Sequence, residues 1–110
     1  VNLLELVPVR NRKWEDGEGT NIVILAPRFN NRWLRKLILP RLKRPFYRIS
    51  LDDLGSWVWL HCNGSRTVAE IGTALKEEFG EKAEPVYDRL GSFFRVMEEH
   101  LFIRFRNLSA

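Results

Sequence analysis

His61 and Cys62 are the residues best suited to nucleophilic or metal chemistry in this 110-residue sequence, and they stand side by side. A nucleophile and its base must converge on one point, whereas neighbours on a helix project to different sides. The favoured reading is a half-buried imidazole and a small buried thiol behind Trp57 and Val58. Asp52 and Asp53 fall at a helix start, where the dipole accounts for acidic residues without acid–base catalysis. Gly17 and Gly19 lack the Lys-Ser/Thr of a phosphate loop and the strand-to-helix setting of a dinucleotide fingerprint. One cysteine and two histidines (His61 and His100) build neither an internal disulfide nor a metal-ligand spacing. No catalytic constellation emerges, so the expectation is a protein that is not an enzyme and needs no cofactor or metal.

Charge is more informative than chemistry. The formal net charge is +4, but it is unevenly spread. Eight basic residues (Arg28, Arg32, Arg35, Lys36, Arg41, Lys43, Arg44 and Arg48) and no acidic ones lie between Arg28 and Arg48, while the other 89 residues sum to −4. One basic stretch therefore carries the whole positive excess and could face an anionic partner. The longest apolar run, Ile22 to Ala26, is far below the roughly 18 residues of a bilayer span. Glu5 interrupts the leading apolar residues, so no secretory signal is expected and a cytoplasmic home is.

The elements that would position these groups are legible from punctuation and period. Arg12 to Glu15, the Asp16-Gly17-Glu18-Gly19 loop, and Asn21 to Ala26 read as two strands joined by a glycine-bearing turn. Asn31 to Leu39 sets Trp33, Leu34, Leu37 and Ile38 opposite Arg32, Arg35 and Lys36, a basic amphipathic helix stopped by Pro40. Pro45 leads Phe46-Tyr47-Arg48-Ile49, an aromatic and β-branched third strand whose proline suits a strand start or sheet edge. Ser50 is placed as the cap of a helix from Leu51 to about Cys62, with Leu54, Trp57, Val58 and His61 on one face. Thr67-Val68-Ala69-Glu70 has capping-box spacing and opens a second helix with the stripe Val68, Ile71, Leu75, Phe79, ended by Gly80. Pro85 opens a third, whose stripe Val86, Leu90, Phe93, Phe94, Met97, Leu101 is the most periodic in the chain. Phe102 to Phe105 reads as a closing strand. The fold class is α+β: a winged-helix-like three-helix bundle with a small N-terminal antiparallel sheet, in a single domain over 1–110.

A winged helix invites a nucleic-acid reading, and the charges argue against it. The helix after the turn carries Glu84, Asp88, Glu98 and Glu99 against Arg89 and Arg95, and the one before it Glu70, Glu77 and Glu78 against Lys76. Both would repel phosphates, so no specific nucleic-acid partner is expected. A winged-helix transcriptional regulator stands as the alternative function, with a peripheral membrane scaffold beside it.

The runs Leu51-Asp52-Asp53-Leu54-Gly55-Ser56-Trp57-Val58-Trp59 and Asn63-Gly64-Ser65-Arg66-Thr67-Val68-Ala69-Glu70-Ile71, followed by Glu84 to Leu101 closing on Phe102-Ile103, resemble the PqqD-like family over about residues 12–106. The resemblance implies a peptide-recognition module that binds the leader of a ribosomally made precursor peptide. It would present the leader to a modifying enzyme, often a radical-SAM protein. It further implies that the leader adds as a strand along Phe46, Tyr47, Arg48 and Ile49 and lies against the third helix. There Tyr87, Gly91 and Phe94 share one side. Core packing is the slightly favoured reading of Phe94. Strand addition takes affinity from an unpaired edge and specificity from side chains beside it, and Arg48 could meet acidic leader residues. Proline at Tyr47 should weaken binding if the Tyr47 amide faces the peptide.

The quinone-pathway proteins have a short connection between the second and third strands, whereas here Phe29 to Arg44 inserts the basic segment. That departure points to a relative with another substrate or partner enzyme. The insertion could dock an acidic enzyme surface or an anionic membrane. Burial of its apolar face on the sheet ranks first. Neither the precursor nor the oligomeric state is written in the sequence.

Overall fold

Thr67 opens its helix by the reciprocal bonds the spacing predicts: its hydroxyl accepts from the Glu70 amide at 3.1 Å, and the Glu70 carboxylate accepts from the Thr67 amide at 2.8 Å. Such local signals set most element boundaries. In the computed structural model, which describes residues 2–27 and 46–107 (Pro27 and Phe46 by backbone alone), the order is β1 (Pro8–Arg10), β2 (Lys13–Asp16), β3 (Ile22–Pro27), β4 (Phe46–Ser50), α1 (Asp53–His61), α2 (Val68–Phe79), α3 (Val86–Glu99) and β5 (Ile103–Phe105). The α+β expectation holds, with three helices and antiparallel sheets among the described residues. The basic helix expected at 31–39, and the 29–44 insertion around it, lie outside them.

The chain divides into two compact units, residues 12–52 and residues 1–11 with 53–110. The first is a three-stranded antiparallel sheet in the order β2-β3-β4. Lys13 faces Leu25 and Asp16 faces Ile22 on one side of β3, while Val23 faces Ser50 and Ala26 faces Tyr47 on the other. Ile22, Ile24 and Ala26 share one face and are buried, as alternation in a central strand requires.

In the second unit β1 pairs with β5, Pro8 opposite Phe105 and Arg10 opposite Ile103. The segment leading to β1 is tied down along its length: the Arg106 amide donates to the Val7 carbonyl, the Val68 amide to the Leu6 carbonyl and the Arg10 amide to the Cys62 carbonyl, all at 2.8 to 2.9 Å. The Arg10 guanidinium donates to the Trp59 and Leu60 carbonyls at 3.2 and 2.7 Å, where the end of α1 leaves acceptors without helical partners. At Gly72 an added Cβ would stand 2.7 Å from the Tyr87 ring and 3.2 Å from Leu90, so the absent side chain is what lets α2 and α3 approach. Gly80, at φ +59°, ends α2 in a conformation that L side chains rarely adopt.

Several expectations need correction. Ser50 is the last residue of β4 and not a helix cap; α1 begins at Asp53. The buried side of α1 is Gly55, Ser56, Val58 and Trp59, continued by Cys62, rather than Leu54, Trp57 and His61. Trp57 instead stacks on His61 at 3.7 Å between ring centroids and meets Phe79 edge-on at 6.2 Å, all three half-buried. Phe79 therefore flanks the α2 stripe, whose interior is Val68, Ile71, Gly72 and Leu75. On α3 the buried set is Val86, Leu90, Phe94 and Met97, with Phe93 only half-buried. Leu101 lies beyond the helix, 47% exposed, at φ 61°.

Candidate functional site

Among the described strands β4 is the last of its sheet, and the direction of its backbone groups follows from one bond. The Leu51 amide donates to the Ile22 carbonyl at 2.9 Å. Hydrogen-bonded and non-bonded pairs alternate along an antiparallel ladder, so Ile49 exchanges bonds with Ile24, and Tyr47 with Ala26. Arg48 and Ser50 therefore aim their N–H and C=O away from β3, toward the side where no described strand pairs. Pro27 fits the same parity, since its position opposite Phe46 asks for no amide bond to β4.

The side chains alternate accordingly. Tyr47 is 50% exposed on the face that carries Ile24, and Ile49 beside it is half-buried. Arg48 lies on the opposite face, where its guanidinium reaches across β3 to the Glu15 carboxylate. With the two side chains 60% and 42% exposed, this pair contributes only about 0–1 kcal/mol and a competing carboxylate can displace it. Sequence reasoning identified Arg48 but not its tie to Glu15, because that contact depends on a register no local signal reveals.

Tyr87, Gly91 and Phe94 lie on α3, in the other unit. Tyr87 is 41% exposed, packs over Gly72, and carries the Lys76 ammonium 4.9 Å above its ring. An added Cβ at Gly91 would meet nothing within 4 Å. Phe94 is fully buried. Of the seven residues singled out from the sequence, Phe94 presents no surface to a partner, and its role is packing.

The chemistry-bearing pair is structural. The Cys62 thiol donates to the Val58 carbonyl at 3.2 Å, and burial pushes its pKa up to about 12 despite the nearby Arg10 charge. His61 Nδ1 lies 2.7 Å from the Trp57 carbonyl. Among the described residues no three His, Cys, Asp or Glu gather as metal ligands, and no helix is long and apolar enough to cross a membrane.

Residues 42–103 match the family described as Coenzyme PQQ synthesis protein D (PqqD). The match takes in more than half of the chain. The chain belongs to the PqqD family. The matched span carries β4, the three helices and the start of β5, and leaves β1, β2 and β3 outside it, a shorter reach than the resemblance over 12–106. Comparisons with curated proteins and with solved structures return no significant match. In this PqqD-family chain the candidate edge therefore falls inside the family region, and the two strands that support it do not.

Proposed function

We propose that this PqqD-family chain is a non-catalytic peptide-recognition module. It takes up an extended segment from the leader of a ribosomally made precursor along the edge of β4 that no described strand pairs and presents it to a modifying enzyme. The observation that supports this most directly is the parity of β4: Arg48 and Ser50 offer backbone donors and acceptors in the spacing an added strand uses. Tyr47, half exposed on one face, and Arg48, exposed on the other, would read alternate side chains of the guest, Arg48 favouring an acidic one. The proposed home is the cytoplasm, where precursor and enzyme are made, and the proposed domain is one functional whole over 1–110.

The test is an NMR titration of the full chain with precursor leaders from the same genome. Amide shifts are expected to concentrate on Arg48 and Ser50 and on their neighbours in β4. Arg48→Pro, which removes an outward donor and leaves the bonds to β3 in place, should weaken binding while the fold persists. Undiminished affinity in that variant would exclude this edge. Shifts confined to 28–44 would transfer the working surface to the basic segment.

A further inference from the structure

Two large apolar side chains at the end of α3 stand in solvent where folding does not ask for them. Val96 is 45% exposed, and Leu101 nearly half. Leu101 sits in a Schellman turn: the Phe102 amide donates to the Met97 carbonyl at 2.8 Å, and the Leu101 amide to the Glu98 carbonyl at 3.0 Å. The residue after the cap of such a turn takes a left-handed conformation and is usually glycine, yet Leu101 holds it at φ 61°. A bulky side chain kept in that region, where glycine would close the turn without strain, points to a use outside the fold.

Val96 belongs to a stripe on the side of α3 away from Tyr87 and Gly91. Arg89, Phe93, Val96 and the cap residue His100 recur at spacings of 4, 3 and 4, the period of a helix-pairing seam. Phe93 is half-buried and the others are exposed. Opposite charges bracket the apolar pair, Arg89 one turn before Phe93 and Glu99 nearly one turn after Val96. One nitrogen of Arg89 donates to the Lys82 carbonyl at 2.7 Å, which places the guanidinium at the start of the stripe. His100 is stacked on Phe102 of its own chain, 5.4 Å between centroids.

We propose that this stripe is a homodimer seam, on which the α3 helices of two copies pack antiparallel about a two-fold axis between Phe93 and Val96. In that arrangement Phe93 meets Val96 of the second copy, Val96 meets its Phe93, and each Arg89 reaches the other copy's Glu99. Two apolar contacts and two opposite-sign pairs result. Leu101, just past Glu99, extends the contact toward the first turn of the other α3. A parallel arrangement would instead bring Arg89 to Arg89 and Glu99 to Glu99. The stripe is thus complementary to its own reverse, which favours a second copy over a partner of one charge sign. The seam stands whether or not β4 binds a leader.

Sedimentation equilibrium of the full chain across protein concentration tests it, with a reversible monomer–dimer equilibrium expected. Val96→Glu changes a side chain exposed in the monomer, so it should raise the dissociation constant by about tenfold or more with circular dichroism unchanged. Arg89→Glu and Glu99→Arg should each weaken the dimer. An equimolar mixture of those two variants should dimerise again, as should the double variant, because both opposite-sign pairs return. Leu101→Gly separates the seam from the fold: it should weaken the dimer severalfold while the urea midpoint of the dilute chain stays as high or rises. A wild-type chain that remains monomeric up to about 1 mM, a dimer that survives Val96→Glu or Leu101→Gly, or charge variants that fail to rescue one another overturns the proposal.

Discussion

The Leu51 amide and the Ile22 carbonyl, 2.9 Å apart, set the direction of every backbone group along β4. Their bond makes Tyr47 an inward-bonding position and Arg48 an outward one. The expectation that a proline at Tyr47 deprives a bound peptide of a donor, if that amide faces the peptide, therefore changes: the amide lost would be the one given to Ala26 of β3.

Tyr47→Pro should cost stability whether or not peptide is present. It strands the carbonyl of Ala26, a residue 5% exposed, and an unsatisfied buried acceptor costs about 1–3 kcal/mol. Arg48→Pro should leave the urea midpoint close to that of the native chain, apart from the small loss of its pairing with Glu15. Greater destabilisation by Arg48→Pro than by Tyr47→Pro would show that the ladder has the other parity.

Phe94 and Phe93 are adjacent on α3, in edge-to-face contact at 5.3 Å, yet should respond very differently to truncation. Phe94 is fully buried and also lies 6.1 Å from Phe105 of β5, so Phe94→Ala should cost about 3–5 kcal/mol. Phe93 is half-buried on the flank of the stripe, and Phe93→Ala should cost nearer 1 kcal/mol. Chemical denaturation of both variants decides it; a larger loss at Phe93 would reverse the assignment of the inner face.

Cys62 should be silent toward thiol reagents in the native protein at pH 8 and react fully once urea unfolds it. Burial raises its pKa from an ordinary 9.0 to about 12, so the folded state holds a proton that the unfolded state releases. Folding stability from this group is intact below about pH 9 and declines as pH rises toward 12. Cys62→Ala, measured by denaturation at pH 8 and pH 10.5 (roughly mid-window), should shrink that decline. Rapid labelling of the folded chain at pH 8 would contradict the buried placement.

What could be read from the sequence was whatever a few neighbouring residues decide among themselves. The capping box of Thr67 and Glu70, the stop at Gly80 and the first turn after Pro85 each depend on contacts within about one helical turn, and all three sit where their spacing puts them. The strand read at Phe46 to Ile49, which extends one residue further to Ser50, was legible for the same reason, from an aromatic and β-branched run behind Pro45. Ser50 failed as a cap because a residue suited to a helix start was drawn into the ladder opposite Val23, a pairing it cannot announce locally.

Tertiary structure decided everything that depends on a partner far along the chain. Helical period placed both Phe93 and Phe94 in one stripe, but a stripe is wider than the contact it makes, and only packing chose Phe94. The period along α1 was weak enough that Trp59 and Cys62, rather than Trp57 and His61, became its inside. β1 went unread because Pro8 counts against a strand, until it is seen as the first residue of one that pairs with β5 more than ninety positions later. Composition and local spacing determined the three helices and the strands other than β1, to within a residue or two at their ends. Which edges stay open, and which way their amides point, is a property of register, and register exists only once distant strands have met.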